Sequence, residues 1–175
     1  VRSVLVDLTG DGKDELVTVA NYGGAGKMAV YSQKVAGDGT VTLEKATGYD
    51  AVVPFGSNAR GMSVAAGDFD GDGLEDLAFA QSAGDEVRLY RSTPTAAGGP
   101  LTFLKAFSPL GKGVGVGSIA AGDFGTFDGT VSDAVRGDGR DELVVVGTSA
   151  QSPVAKIFQR SEEHTSELQS PCNLV

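Results

Sequence analysis

The sequence predicts an all-β fold assembled from repeated antiparallel units, and three observations carry that expectation. The chain of 175 residues holds 26 glycines beside many apolar runs of only four to seven residues, a composition suited to short strands joined by tight turns. It also repeats itself. Ser3–Ala20 (SVLVDLTGDGKDELVTVA), Ser63–Ala80 (SVAAGDFDGDGLEDLAFA) and a third segment, which begins at Ser118 as SIAAGDF and resumes at Gly137 as GDGRDELVVVG, align with one another. Their leading aspartates Asp7, Asp68 and Asp123 stand 61 and then 55 residues apart, a period that marks a repeat architecture. Finally, no run shows the i, i+3, i+4, i+7 spacing of an amphipathic helix over the length a helix needs.

Within each repeat the elements follow in a fixed order. A run of small and apolar residues leads in, as in Val64-Ala65-Ala66-Gly67, and an Asp/Gly loop follows. A second apolar run leaves the loop: Leu16–Ala20, Leu77–Ala80 or Leu143–Val146. A third alternates, at Met28–Tyr31, Val87–Tyr90 and Val154–Phe158, and a fourth comes later, at Thr40–Lys45 and Leu101–Phe107. Gly23-Gly24, Gly37-Asp38-Gly39 and Gly98-Gly99-Pro100 bound these runs as turns. Four strands per unit of about 55–60 residues is the pattern of a propeller blade. The small residues entering each loop fit an innermost strand near a crowded axis, and the rungs of a stacked β-solenoid are usually shorter. The expected fold is a partial β-propeller of about two and a half four-stranded blades, with repeats at about 1–59, 60–115 and 116–159. An isolated blade leaves both edges unpaired and two and a half blades cannot close a ring, so the remaining propeller blades of the same chain are expected partners.

Both ends are expected to be unnatural. Val1 is not an initiating Met, no signal peptide is visible, and the chain opens inside a strand pattern. At the other end Arg160–Ser170 (RSEEHTSELQS) resembles the translation of a short-read sequencing adapter, and Pro171–Val175 fit its continuation. Residues 160–175 are therefore expected to be a non-native tail. The single His164 and single Cys172 fall inside it. Residues 1–159 carry 13 basic and 20 acidic side chains, a net charge of −7. That balance disfavours a nucleic-acid partner, which calls for a basic patch. The apolar runs are far short of the roughly 20 residues that cross a bilayer as a helix, so no membrane insertion is expected. Without cysteine in 1–159, disulfides do not brace the fold.

The acidity is concentrated. Thirteen of the twenty acidic residues lie in the three loop segments: Asp7, Asp11, Asp14 and Glu15; Asp68, Asp70, Asp72, Glu75 and Asp76; Asp123, Asp138, Asp141 and Glu142. In Asp68–Asp76 (DFDGDGLED) acids stand at positions 1, 3, 5 and 9, and such crowding costs a few kcal/mol per close pair at an intermediate dielectric. A hard dication reverses the sign. Calcium takes six to eight oxygens at about 2.3–2.6 Å in irregular geometry, whereas magnesium keeps its waters and few protein carboxylates. Gly73 allows the positive φ of a tight curl, and the carbonyl of Leu74 offers a backbone oxygen. Three bound dications would bring the net charge from −7 to about −1. The competing reading is an ordinary hairpin turn with solvated carboxylates; recurrence of the 1, 5, 9 spacing in the first loop argues against it. An EF-hand also begins D-x-D-x-D-G but requires an acid at position 12, where this chain has Phe79 or Thr18.

DFDGDGLED between short strands resembles the calcium loop of FG-GAP and VCBS repeats, as in integrin α-subunit propellers and bacterial extracellular proteins. Tyr22-Gly23-Gly24-Ala25-Gly26 is similar to the Phe-Gly-Gly-Ala-Pro string of that family, with Tyr for Phe and Gly for Pro. The resemblance covers residues 1–159. It implies Ca²⁺ sites at Asp68, Asp70, Asp72, the carbonyl of Leu74 and Asp76; at Asp7, Thr9, Asp11, the carbonyl of Lys13 and Glu15; and at Asp123, Asp138, the carbonyl of Arg140 and Glu142. Thr9 supplies only a neutral oxygen, so the first site is expected to bind more weakly. The third loop carries an insertion of 11 residues. Either Asp128 or Asp133 folds back to replace its missing position-3 ligand, or its ion is lost.

Catalysis is not expected. Ser–His–Asp and Cys–His chemistry lack their parts in 1–159, and the paired carboxylates a glycosidase would use sit in the metal loops. Gly111–Gly117 (GKGVGVG) lacks the G-K-[ST] ending of a phosphate cradle and reads as a link between blades. Arg60, Arg88 and Arg91 read as solvated surface or as contacts for an acidic glycan. Two functions remain: an extracellular or cell-surface module that binds a protein or carbohydrate ligand in adhesion, or part of a secreted polysaccharide lyase or hydrolase whose catalytic residues lie elsewhere.

Overall fold

In the computed structural model, the structure describes residues 2–20, 26–56, 59–93, 101–124, 139–147, 154–160 and 168–173. Among the described residues every regular element is a strand. Strands β1 (Arg2–Val6), β2 (Glu15–Val19), β3 (Met28–Val35) and β4 (Val41–Lys45) form one antiparallel sheet in sequence order. Strands β5 (Met62–Gly67), β6 (Asp76–Gln81), β7 (Val87–Ser92) and β8 (Leu101–Phe107) form the second. The third comprises β9 (Val116–Gly122), β10 (Glu142–Gly147), β11 (Val154–Arg160) and β12 (Leu168–Asn173). The chain is a partial β-propeller, as the repeat predicts. Its fourth strand in the third sheet comes from the segment read as a tail. That strand pairs antiparallel with β11, with a register break between Ile157 and Gln159. Without β12, β11 would be the edge of this sheet, and an edge presents unpaired amides and carbonyls that take up an adjoining extended backbone.

Burial explains the order of strands within a blade. β1 lies against β5 and β5 against β9, so the first strand of each sheet is the innermost. β6 is buried along nearly its whole length, whereas β4 is exposed throughout. Alternation sends successive side chains to opposite faces, and each face of the second blade meets a neighbouring blade. Val6, Val17 and Val19 of the first blade pack with Val64, Leu77 and Phe79 of the second. Ala65, Ala78 and Ala80, on the other face of the second blade, pack with Ile119, Leu143 and Val145 of the third. The hydrophobic core is therefore a pair of layers between blades. The glycine-rich link forms turns at 109–110 and 112–113, where Gly111 N–H donates to the Ser108 carbonyl and Val114 N–H to the Gly111 carbonyl, and enters β9 at Val116. The Gly37-Asp38-Gly39 turn joins β3 to β4, with the Gly39 N–H donating to the Ala36 carbonyl at 2.9 Å. Gly23-Gly24, Gly98-Gly99-Pro100 and most of the Tyr22–Gly26 string lie outside the described residues.

Candidate metal centre

Each Asp/Gly loop joins the first strand of its blade to the second, and its leading aspartate organises the turn. Asp68 Oδ1 accepts the N–H groups of Gly71 (2.7 Å) and Asp72 (3.2 Å), and Oδ2 accepts that of Gly73 (2.9 Å). Asp7 does the same with Gly10 (2.7 Å), Asp11 (3.2 Å) and Gly12 (2.7 Å), and adds Thr9 at 3.3 Å. A short carboxylate that gathers successive amides is the usual device of an Asx-type turn. The sixth residue closes the curl: Gly12, Gly73 and Gly139 have φ of 80°, 86° and 83°, a region that side-chain-bearing residues rarely adopt. The third loop keeps this closure across its insertion, since Gly139 N–H donates to Asp123 Oδ2 at 3.0 Å.

The ninth residue opens the second strand, and the strand pleat turns it inward. Glu15, Asp76 and Glu142 are all buried. The two glutamates reach back into their own loops: Glu15 Oε2 accepts Leu8 N–H at 3.1 Å and Glu142 Oε2 accepts Phe124 N–H at 2.7 Å. Asp76 is one methylene shorter and does something else. Its Oδ1 accepts Ser92 N–H at 2.9 Å, and its Oδ2 is buried with no partner. Burial pushes the Asp76 carboxyl up to about 7; the Ser92 amide opposes this, and the charges of Asp70, Asp72 and Asp68 add to it.

Among the described residues, Asp68, Asp70 and Asp76 bring one carboxylate oxygen each within 4.8 Å of one another. Burial, then the neighbouring Asp72, raises the Asp70 carboxyl, and Arg91 opposes the rise. Asp72 Oδ1 accepts Leu74 N–H at 2.9 Å, while Oδ2 faces Arg91. The donor set is all oxygen, part-buried and crowded, and one of its oxygens has no hydrogen bond. It fits a divalent cation. In the first loop the acids are held apart. Asp11 is exposed and pairs with Lys13 Nζ at 3.0 Å, a contact that lowers its carboxyl. Burial raises the Glu15 carboxyl. Of the third loop's ligand set, Asp138 and the two fold-back aspartates Asp128 and Asp133 lie outside the described residues; Asp123, Arg140 and Glu142 lie within them.

Two sets of side chains act differently from the sequence expectation. Arg91 is not a free surface cation: its guanidinium contacts Asp70 at 2.6 Å and Asp72 at 2.9 Å. The Leu77↔Tyr90 register brings the end of β7 back beside the loop, so a basic residue just after Tyr90 falls on the acids. Arg88 pairs with Glu86 at 2.9 Å, donates to the Pro54 carbonyl and lies over the Phe55 ring. The second set is Glu75 and Asp141, which turn away from their own loops. Glu75 Oε2 accepts Asp7 N–H at 2.7 Å and Asp141 Oδ2 accepts Asp68 N–H at 2.8 Å. Their common signal was the acid at position 8 of every loop.

Residues 7–79 match the FG-GAP-like repeat, and residues 60–99 match the FG-GAP repeat. The chain belongs to the FG-GAP repeat family. Together the two matches take in the first two loops and most of two blades of this FG-GAP propeller. No curated protein matches the chain. No helix among the described residues is long and apolar enough to cross a membrane, which says nothing about spanning by strands.

Removing Arg91 tests how the acids are balanced. Arg91→Ala is expected to tighten divalent-cation binding at the second loop about three- to tenfold, because a cation near the site repels an incoming ion. Isothermal titration at fixed ionic strength reads the change. An unchanged or weaker affinity would show that the guanidinium does not compete with the ion.

Proposed function

We propose that this chain is a calcium-braced, non-catalytic propeller module of an extracellular or cell-surface protein, which binds a protein or carbohydrate ligand in adhesion. The remaining blades of the same polypeptide complete its ring. One observation carries the metal assignment: Asp76 Oδ2 is buried without a partner beside Asp68 and Asp70. An orphaned buried carboxylate oxygen is costly, and a bound calcium would supply the positive charge that offsets it. Asp68, Asp70, Asp72, the carbonyl of Leu74 and Asp76 would hold the ion in the second loop. Asp7, Thr9, Asp11, the carbonyl of Lys13 and Glu15 form the weaker first site, where Lys13 competes. Asp123, Asp138, the carbonyl of Arg140 and Glu142 form the third.

Extracellular calcium modules have dissociation constants of ~10⁻⁴–10⁻³ M. At ten times its dissociation constant a site contributes about 1.4 kcal/mol, a useful share of a total near 5–15 kcal/mol. Sites this weak fill outside cells and stay empty at cytosolic calcium, which supports an extracellular location. The test is calorimetric. Calcium added to the full chain is expected to bind with millimolar or tighter affinity and to raise the melting temperature. Asp76→Asn should remove the second-loop event while stabilising the ion-free protein, since it replaces a buried charge by a neutral group. Heats indistinguishable from dilution in the wild-type chain would end the assignment.

A further inference from the structure

We infer that the outward face of the first blade is a docking surface for a further blade of this repeat type in the same polypeptide, engaged by Asp14 and Lys13. The inference rests on the propeller reading above and adds to it the residues that make the joint.

The two joints inside the chain are built alike. Across the first, the position-8 carboxylate Glu75 accepts the N–H of the preceding loop's leading residue, Asp7, at 2.7 Å. Across the second, Asp141 accepts the N–H of Asp68 at 2.8 Å, and Asp141 N–H returns a bond to the Asp68 carbonyl at 3.1 Å. The position-7 side chain lies over the position-4 glycine of the same preceding loop. A Cβ on Gly10 would come within 2.9 Å of Leu74 Cδ2, and one on Gly71 within 2.6 Å of Arg140 Nε. Positions 7 and 8 thus form a latch whose other half is a bare glycine and a leading amide one blade back. A charge-assisted bond of this kind is roughly twice as strong as a neutral one.

Where the latch is closed, its residues are covered: Leu74, Glu75, Arg140 and Asp141 are all half-buried. The matching pair in the first loop, Lys13 and Asp14, is exposed. The strand face beneath tells the same story. Val64, Ala66, Leu77 and Phe79 turn to the preceding blade, and their counterparts by repeat alignment are Ser3, Leu5, Leu16 and Thr18. Leu5 is 59 % exposed on an innermost strand, where its counterpart Ala66 packs against the first blade's core. The occupant this face fits is therefore a blade that offers a leading-aspartate amide and a position-4 glycine at one end, above an apolar sheet face.

Amide hydrogen exchange tests the joint. In the 175-residue chain, Glu75→Ala is expected to speed exchange at the Asp7 amide about tenfold or more, with Glu75→Gln restoring part of the protection. In a chain extended by a second copy of residues 1–61 ahead of Val1, the added copy's leading-aspartate amide is expected to be protected. Asp14→Ala in the original segment should abolish that protection by the same factor. Unchanged exchange at Asp7 in Glu75→Ala would overturn the latch. A responsive Asp7 beside an added amide that ignores Asp14 would overturn the docking surface. Calcium titration of the same samples separates the two readings: absent uptake with closed latches removes the metal assignment alone.

Discussion

Asp68→Ala is expected to abolish calcium uptake at the second loop and to lower the ion-free unfolding free energy by roughly 2–4 kcal/mol. The stability figure follows from the Gly71 and Gly73 amides losing their acceptor and the Asp72 amide keeping only that of Asp70, at about 0.5–1.5 kcal/mol for each bond lost. Denaturant unfolding with chelator present reads that part, and calorimetry reads the other. Asp68→Asn separates them, because it keeps a carbonyl oxygen for the Gly71 and Asp72 amides but gives up the carboxylate charge. It should cost less stability and still lose the ion. If Asp68→Ala bound calcium with wild-type affinity, the ion would have to sit elsewhere. If its stability were unchanged, the amide-gathering turn would not be what shapes the loop.

Phe79→Ala is expected to cost about 3–5 kcal/mol, the usual range for truncating a fully buried aromatic. Phe79 is fully buried in the layer between the first two blades. Its ring meets Tyr90 edge-on at 5.5 Å, and Tyr90 meets Phe103 in the same way. The cavity would open across the joint between blades, where backbone on either side is already tied by sheet bonds and cannot close in. The loss should therefore appear as early release of the first blade, with exchange accelerating in β1 and β2 before β10. A cost below about 1 kcal/mol would place the stabilising contacts inside single blades and not between them.

The fold was legible because strand periodicity and repeat spacing are both local signals. The apolar run Leu101–Phe107 has the same bounds as β8, and the other runs differ from their strands at the ends. The second strands begin at the acid of position 9, one residue before the apolar run from which they were read. The loops were legible as acidic curls, since position 1 and Gly73 act as their chemistry dictates. The roles of individual acids were not. Glu75 and Asp76 are neighbours with the same charge, yet one ties two blades and the other is buried facing Asp68 and Asp70. That division depends on the pleat of β6 and on the loop one blade away, neither of which a count of carboxylates contains. The pairing of Arg91, which reads from sequence as surface or a glycan contact, is hidden for a similar reason: its partners lie 19 and 21 positions back and meet it only through the β6–β7 register.

The third loop holds both of its ends although eleven residues have been inserted between them. Asp123 still accepts the Gly139 amide, and Glu142 still accepts that of Phe124. With the stem clamped on both sides, further lengthening costs little, about 0.6 kcal/mol for each doubling of a flexible span. Foreign sequence can therefore be written between Phe124 and Gly139 while these two contacts hold the register of the sheet below. A short epitope grafted there should be displayed without moving the melting temperature by more than a few degrees, which makes this the natural place to give the module a new specificity.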